Sequence, residues 1–207
     1  MLSKARIAVF VSGGGTNLQA LIDAQNNDQL RSGELCLVVS NNPEAYALER
    51  AAAAGIPSRI VSRKQLGSQA VFEKALLDTL AAFQIDLIVL AGFMTILSDD
   101  FTGRYPRRIL NVHPALIPSF CGKGMYGLKV HEAALGYGVK VTGATVHFVN
   151  EVPDGGEILL QQPVFVKPGD TPEILQRRVM EEAEWVILPR AVEQVSHEIM
   201  MDKEKKA

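Results

Sequence analysis

Short apolar runs of strand length alternate with helical patterns through the first half of this chain. The first run, residues 7–11 (IAVFV), is apolar at every position and rich in β-branched residues. Such a strand is buried on both faces, which is typical of a parallel sheet covered by helices. Further strands are predicted at residues 35–39, 59–61, 87–90 and 109–113. Because crossover connections are right-handed, the alternation predicts a Rossmann-like, doubly wound α/β sheet.

Helical patterns fill the gaps between these strands. The second helix is expected to open at Pro43 and to end before Gly55, because proline favours a helix start and glycine follows a helix end. The other helices of this half are predicted to begin near Leu18 and to cover residues 72–83 and 98–105.

The pattern changes after His113. A Pro- and Gly-rich loop at 114–127 precedes a predicted helix at 128–135. Two long strands, 139–149 and 158–166, flank the turn sequence VPDGG, which predicts an antiparallel ribbon added to the mostly parallel sheet. The last helix is expected to start with Thr171 as N-cap and Pro172 as its first residue, to break near Pro189 and to resume toward Met200.

Composition and charge argue against several classes of protein. Of the 207 residues, 47% are hydrophobic and 21% charged, so a packed core is expected rather than disorder. The formal net charge of −2 shows no basic excess, so no nucleic-acid partner is expected. Because no signal-peptide pattern and no bilayer-length apolar stretch is found, we expect a cytoplasmic protein without a membrane partner. Two cysteines, Cys36 in an apolar run and Cys121 in the Gly-rich loop, are too few for a disulfide scaffold.

Residues 12–17 (SGGGTN) join the first strand to the first helix. Consecutive glycines let the backbone approach a ligand, and the unpaired N–H groups of a helix start attract anions. The segment lacks the Lys-Ser/Thr of a Walker loop and the glycine spacing of a dinucleotide fingerprint, which also argues against a dehydrogenase. A terminal phosphate is the favoured ligand, and a tight turn without a ligand is the alternative.

Asn111 and His113 end the fifth predicted strand and lie two residues apart, so their side chains share one face. The carboxyl end of a parallel strand is where open α/β sheets bind ligands. An amide beside an imidazole can stabilise an oxyanion and move a proton, although holding the strand end is the commoner role of an isolated Asn-x-His. Asp154 suits a tight turn for backbone reasons, and it could also raise the pKa of an imidazole.

The remaining histidines are expected to have structural roles. His147 is predicted to be a partnered core histidine, with support of the site as the alternative. His131 and His197 occupy polar helix positions and are expected to be solvated. Because no Cys, Asp or Glu stands at ligand spacing from the histidines, no metal site is expected.

Five segments together resemble the folate-dependent formyltransferases, and among them phosphoribosylglycinamide formyltransferase. They are residues 11–20 (VSGGGTNLQA), 90–98 (LAGFMTILS), 110–118 (LNVHPALIP), 143–149 (GATVHFV) and 154–156 (DGG). Each segment alone is modest. The set of five in this order, extending over residues 6–189, is specific and favours the functional interpretations above.

The resemblance implies a formyltransferase fold in one domain, residues 1–207, with a phosphate-binding half of about 1–110 and a folate-binding half of about 111–207. It implies transfer of the formyl group of 10-formyltetrahydrofolate to the amine of 5′-phosphoribosylglycinamide in de novo purine biosynthesis, without a metal. The partners implied are these two small molecules, and the chain would be a monomer or a homodimer.

The resemblance also implies roles for individual residues. Asn111 and a protonated His113 would stabilise the tetrahedral oxyanion, while Asp154 would keep His113 charged and help to move a proton. Glu184 would bind the glycinamide end of the substrate. The implied ligands of the substrate phosphate are Gly14, Gly15, Thr16 and Asn17. The implied folate-binding residues are Gln69, Asn111, Asp154 and the segment of Met94, Thr95, Ile96 and Leu97, which would line the pterin pocket largely through backbone groups.

The sequence departs from the family pattern in three places. Thr95 and Gln69 stand where many relatives carry arginine, so side-chain contacts to the folate are expected to differ. The loop at 119–127 is longer than in the shorter relatives. The last helix carries one extra residue near 180–183, which leaves Glu182 as an alternative to Glu184.

Other proteins with this domain are the closest alternatives. A formyltetrahydrofolate hydrolase would add an amino-terminal regulatory domain, and a methionyl-tRNA formyltransferase would add an RNA-binding domain and a basic charge balance. Sugar-nucleotide formyltransferases lack the phosphate loop at 13–17. A non-catalytic phosphate-binding module would not need Asn111 and His113 together with Asp154.

Overall fold

A computed structural model describes residues 4–205 of the chain. Seven strands form one sheet in the order β3-β2-β1-β4-β5-β6-β7. The strands are β1 (Ala5–Val11), β2 (Gly33–Ser40), β3 (Ser58–Ile60), β4 (Leu87–Leu90), β5 (Ile109–His113), β6 (Val141–Phe148) and β7 (Ile158–Phe165). The first five run parallel, whereas β6 and β7 pair antiparallel. The predicted doubly wound sheet with an antiparallel ribbon is confirmed.

Helices cover both faces of this sheet. They are α1 (Thr16–Asn26), α2 (Ala47–Ala53), α3 (Arg63–Leu66), α4 (Gln69–Ala82), α5 (Asp99–Thr102), α6 (Leu128–Tyr137), α7 (Pro172–Val179) and α8 (Trp185–Glu204). A π-helical segment, Met180–Glu184, joins the last two. None of the helices within residues 4–205 is long and apolar enough to cross a membrane.

The alternation of side chains along β1 divides the core into two layers. Ile7, Val9 and Val11 pack in the apolar cluster that includes residues of α1 and α8. Ala8 and Phe10 pack in the cluster that includes residues of α4. Because both faces of the strand are buried, the run at 7–11 is apolar throughout, as the sequence indicated.

The predicted start of the second helix is wrong. Pro43 lies within a turn in which the Asn42 side chain accepts a hydrogen bond from the Glu44 N–H and the Asn42 carbonyl accepts one from the Ala45 N–H. Asparagine side chains commonly stabilise such turns in competition with helix. The helix therefore begins only at Ala47.

The predicted break at Pro189 is also wrong. Thr171 and Pro172 start α7 as expected, with the Thr171 side chain accepting a hydrogen bond from the Ile174 N–H. Pro189 lies inside a continuous α8. Pro189 has no N–H to donate to the carbonyl of Trp185, four residues earlier. Trp185 directly follows the π-helical segment, so the departure from α-helical geometry lies before the proline and not at it.

Candidate functional site

Two adjoining cavities lie at the carboxyl edge of the parallel strands. The residues of the larger cavity come from the start of α1, the loop after β4, the end of β5, the loop at 122–127, and the helices α6 and α7 with the π segment. The smaller cavity is lined by the loop after β4, residues 149–154 and His147. Asn111 and Asp154 line both cavities. A molecule in each cavity would therefore meet the other beside these two side chains.

Asn111, His113 and Asp154 lie together at this junction. The Asn111 Nδ2 atom is 3.4 Å from Asp154 Oδ1, and the His113 Nδ1 atom is 3.6 Å from Asp154 Oδ2. The other ring nitrogen of His113 donates to the Phe120 carbonyl at 2.8 Å, which leaves Nδ1 facing the carboxylate. The predicted trio is thus within contact distance, although Asp154 is 43 residues from Asn111.

The Asp154 carboxylate also anchors a loop. Its Oδ2 atom accepts a hydrogen bond from the Gly122 N–H at 2.8 Å. Burial by itself raises the pKa of Asp154, but the neighbouring His147, the Gly122 N–H and the charge of His113 outweigh it and hold the pKa below its usual value. The carboxyl group is therefore ionised at neutral pH. The backbone φ of Asp154, 56°, also fits the tight turn that the sequence predicted at this residue.

His147 lies on the neighbouring strand β6 beside Asn111. It is buried and hydrogen-bonded, as expected of a partnered core histidine, and it also contacts the site. It is 1% exposed, and its Nδ1 atom donates to the Phe148 carbonyl at 2.9 Å. Its Nε2 atom lies 3.6 Å from Asp154 Oδ1, the carboxylate whose pKa it lowers, and when the ring is neutral Nε2 accepts a hydrogen bond from Asn111 Nδ2 at 3.1 Å. This contact fixes the Asn111 amide with its nitrogen as the donor at the junction.

The glycine loop is held on α2 through its carbonyl groups. The Gly13 carbonyl accepts from the Ala47 N–H at 3.0 Å, and the Gly14 carbonyl accepts from Arg50 Nε at 2.8 Å. Gly15 has a φ of 70°, and a Cβ atom there would lie 2.6 Å from the Ala47 Cβ. Only glycine fits this position.

The first residues of α1 reach the larger cavity. Thr16 and Asn17 line it, whereas Gly14 and Gly15 do not. No side chain caps this helix start, so its backbone N–H groups are suited to an anion. Of the four residues predicted to bind phosphate, Thr16 and Asn17 thus reach the cavity, and Gly14 and Gly15 form the turn before them.

Glu184 faces the same cavity from the π segment. It is 6% exposed, and its Oε2 atom accepts a hydrogen bond from Asn17 Nδ2 at 2.7 Å. Burial raises the pKa of Glu184, and the hydrogen bond from Asn17 opposes this rise. Glu182 is exposed to solvent. Because a π turn holds more residues than an α turn, the extra residue expected near 180–183 is accommodated there, and Glu184 is the acid that points inward.

The segment after β4 presents apolar side chains to both cavities. Met94 and Ile96 are 53% and 67% exposed and line both, while Thr95 and Leu97 line the smaller one. The Thr95 hydroxyl accepts a hydrogen bond from Asn41 Nδ2 at 2.7 Å. Exposed apolar side chains in a concave surface are typical of a binding site for a flat organic molecule.

Gln69 acts on this segment from outside the cavities. Its Nε2 atom donates to the Ile96 carbonyl at 3.1 Å, and the residue lines neither cavity. The structure therefore gives Gln69 a role in holding the backbone of 94–97, and the direct folate contact that the resemblance implied stays a prediction.

The prediction that His131 is solvated is wrong. Its side chain is 0% exposed and lies in the wall of the larger cavity. Burial, together with the charge of His113, lowers its pKa to about 4. Val130, His131 and Ala134 form the buried face of α6. The charged residues Lys129 and Glu132 beside them in the sequence suggested a polar helix surface, so the burial of His131 was not predicted. His197 is exposed, as expected.

Several lining residues were not singled out in the sequence. Lys123, Gln176 and Met180 line the larger cavity, but their types and spacing carry no recognisable motif. Within residues 4–205, no group of three or more His, Cys, Asp or Glu side chains could hold a metal ion. Cys36 is buried in the core, as its position in an apolar run indicated.

Comparison with known proteins identifies relatives over nearly the whole chain. Residues 5–192 match the family described as formyl transferase. The phosphoribosylglycinamide formyltransferase of Haemophilus influenzae is 41% identical over 187 residues, which cover 90% of this chain and 85% of that protein. A solved structure of glycinamide ribonucleotide transformylase 1 from Symbiobacterium toebii has a TM-score of 0.87 and 40% identity, covering 94% of this chain and 89% of that one.

Larger proteins also contain a similar region. The trifunctional purine biosynthetic protein adenosine-3 of Gallus gallus is 45% identical over 194 residues, or 94% of this chain. Those residues are 19% of that protein, so the chain spans about a fifth of its length.

Proposed function

The chain belongs to the formyl transferase family, and from this premise we propose that it transfers the formyl group of 10-formyltetrahydrofolate to the amine of 5′-phosphoribosylglycinamide, a step of de novo purine biosynthesis. The observation that carries the proposal is the junction of two cavities at Asn111 and Asp154. Group transfer between two molecules requires the donor and the acceptor to meet at the transferred group.

The acceptor occupies the larger cavity. Its phosphate binds at Thr16 and Asn17, which the turn of Gly14 and Gly15 presents, and its glycinamide end binds Glu184. Support comes from the uncapped start of α1 and from the hydrogen bond between Asn17 and Glu184 in the wall of the cavity, which fixes the Glu184 carboxyl group beside the helix start. The phosphate and the amine of one substrate are thereby held at fixed positions.

The folate occupies the smaller cavity. Its flat pterin ring packs on the segment from Met94 to Leu97, whose backbone Gln69 steadies. Support comes from the exposure of Met94 and Ile96 beside Asn111 and Asp154. The formyl group then lies over the end of β5.

Formyl transfer begins with attack of the acceptor amine on the formyl carbon, which forms a C–N bond and places negative charge on the formyl oxygen. Asn111 Nδ2 and a protonated His113 stabilise this oxyanion. Asp154, 3.6 Å from the His113 Nδ1 atom, favours the charged imidazole. The intermediate collapses when the bond from carbon to the folate nitrogen breaks, and the proton lost by the amine reaches that nitrogen with help from Asp154.

The same proposal includes the partners, the cellular compartment and the assembly state of the protein. The two small molecules are the partners, the reaction takes place in the cytoplasm without a metal, and the chain acts as a monomer or a homodimer. Sedimentation of the purified protein distinguishes the two assembly states.

The test compares formyl transfer by the wild-type protein and by His113→Ala. We expect wild type to formylate the acceptor and the variant to lose about 100-fold or more in rate, the usual contribution of a positioned acid or base. An unchanged rate in the variant would refute the mechanism. Folate cleavage that needs no acceptor would favour a hydrolase, and phosphate binding without turnover would favour a non-catalytic module.

A further inference from the structure

The loop at 122–127 brings one lysine to the larger cavity. Lys123 lies between Gly122 and Gly124, whose φ angles are 87° and 88°. Residues with side chains rarely adopt these angles, so the two glycines allow a tight loop with Lys123 at its tip. The Gly122 N–H is held by Asp154, which fixes the base of this loop beside the reaction centre.

In the larger cavity the protonated His113 of the proposed mechanism is paired with the Asp154 carboxylate, 3.6 Å away, and is not free for a phosphate. Lys123 is the one Lys or Arg among the described residues that line this cavity, whereas Asp154 and Glu184 are acids. His131 is uncharged at neutral pH because its pKa is lowered to about 4. A phosphate monoester carries nearly two negative charges, and a helix start supplies only a partial positive charge. A phosphate in this cavity therefore needs a cation, and Lys123 is the available one.

Lys123 is also positioned to bind a ligand. It is exposed and forms no ion pair within residues 4–205. It lines the cavity that contains Thr16 and Asn17 and is absent from the lining of the smaller cavity. The nearby Lys129 instead lies over the Tyr126 ring, 4.9 Å from its centre. Location thus connects Lys123 with the acceptor rather than with the folate.

We propose that Lys123 is a binding residue for the phosphate monoester of the acceptor, in the cavity that the start of α1 also lines. The inference rests on the proposed function for the identity of the acceptor, and it adds a residue that the glycine loop alone does not supply. The ammonium group donates hydrogen bonds to phosphate oxygens as a point charge.

A kinetic comparison isolates the phosphate contact. In Lys123→Met we expect KM for the phosphorylated acceptor to rise about tenfold while kcat stays within about twofold, as for loss of one exposed charge-assisted contact. The dephosphorylated glycinamide riboside should be used equally well by both proteins. Lys129→Met is the matched control and should behave as wild type. Equal losses with both acceptors, or no loss with either, would overturn the inference.

A binding measurement separates this inference from the proposed function. Ribose 5-phosphate is titrated at low salt into wild type, Lys123→Met and Lys129→Met, and heat release gives the affinity. We expect about tenfold weaker binding for Lys123→Met alone. Equal affinity in all three proteins would exclude a phosphate contact by Lys123. Absence of formyl transfer by the wild type would instead contradict the proposed function, with the binding result still decisive for Lys123.

Discussion

Burial of His131 should make the stability of this protein depend on pH. The pKa of His131 is about 4 in the folded chain, where burial and the charge of His113 disfavour protonation, against an ordinary value of 6.5. Between these values the unfolded chain binds a proton that the folded chain does not. The free energy of unfolding contributed by this group is therefore fully present above pH 6.5 and is lost as the pH falls toward 4.

The size of the effect follows from the shift. One pKa unit corresponds to about 1.4 kcal/mol, so the shift of the His131 pKa from 6.5 to about 4 changes the free energy of unfolding by about 3 kcal/mol when it is fully expressed. Between pH 7.5 and pH 5.0, His131 should account for a fall of about 2 kcal/mol in the free energy of unfolding. This is large beside the 5–15 kcal/mol typical of a folded domain.

Urea unfolding at pH 7.5 and pH 5.0 measures the effect in wild type and in His131→Phe, which fills the space with an apolar ring that cannot titrate. The wild type should lose about 2 kcal/mol more than the variant on acidification, and any packing change common to both pH values cancels. His197→Gln, at an exposed histidine, is the control and should follow wild type. Equal losses in wild type and His131→Phe would refute the argument.

Three further predictions concern the two cavities. Asp154→Asn keeps a residue that tolerates the turn and can accept the Gly122 N–H, so the fold should persist while kcat falls about 100-fold or more; unfolding in circular dichroism would reduce Asp154 to a turn residue. Glu184→Gln should raise KM for the acceptor about tenfold and Glu182→Gln should not, and the opposite order would reverse our assignment. Ile96→Ala should raise KM for the folate several-fold, and an unchanged folate KM would exclude the apolar contact.

The strands were predictable because their patterns are local. β4 and β5 begin and end at the predicted residues. Each follows a charged residue, Asp86 or Arg108, and β4 is followed by Ala91-Gly92 and β5 by Pro114. The start of α2 was not predictable in this way, because the Asn42 side chain stabilises a turn where Pro43 suggested a helix. The π segment likewise depends on the packing of the helices on either side of it.

The candidate site was only partly accessible to sequence reasoning. Asn111 and His113 could be placed on one face of a strand end from their spacing. Their approach to Asp154 depends on the antiparallel ribbon and was indicated only by the family resemblance. Neither the burial of His131 nor the position of Lys123 in the cavity leaves a local signal, because both follow from how α6 and its preceding loop pack over the sheet.

Following the formyl carbon distinguishes transfer to the acceptor from hydrolysis of the folate. The purified protein is given 10-formyltetrahydrofolate with a ¹³C-labelled formyl group, with and without 5′-phosphoribosylglycinamide, and the labelled products are followed by NMR. We expect the label to move to the acceptor amine, with one tetrahydrofolate released for each amide formed and little turnover without acceptor. Appearance of the label as free formate at the same rate with and without acceptor would contradict the proposed function.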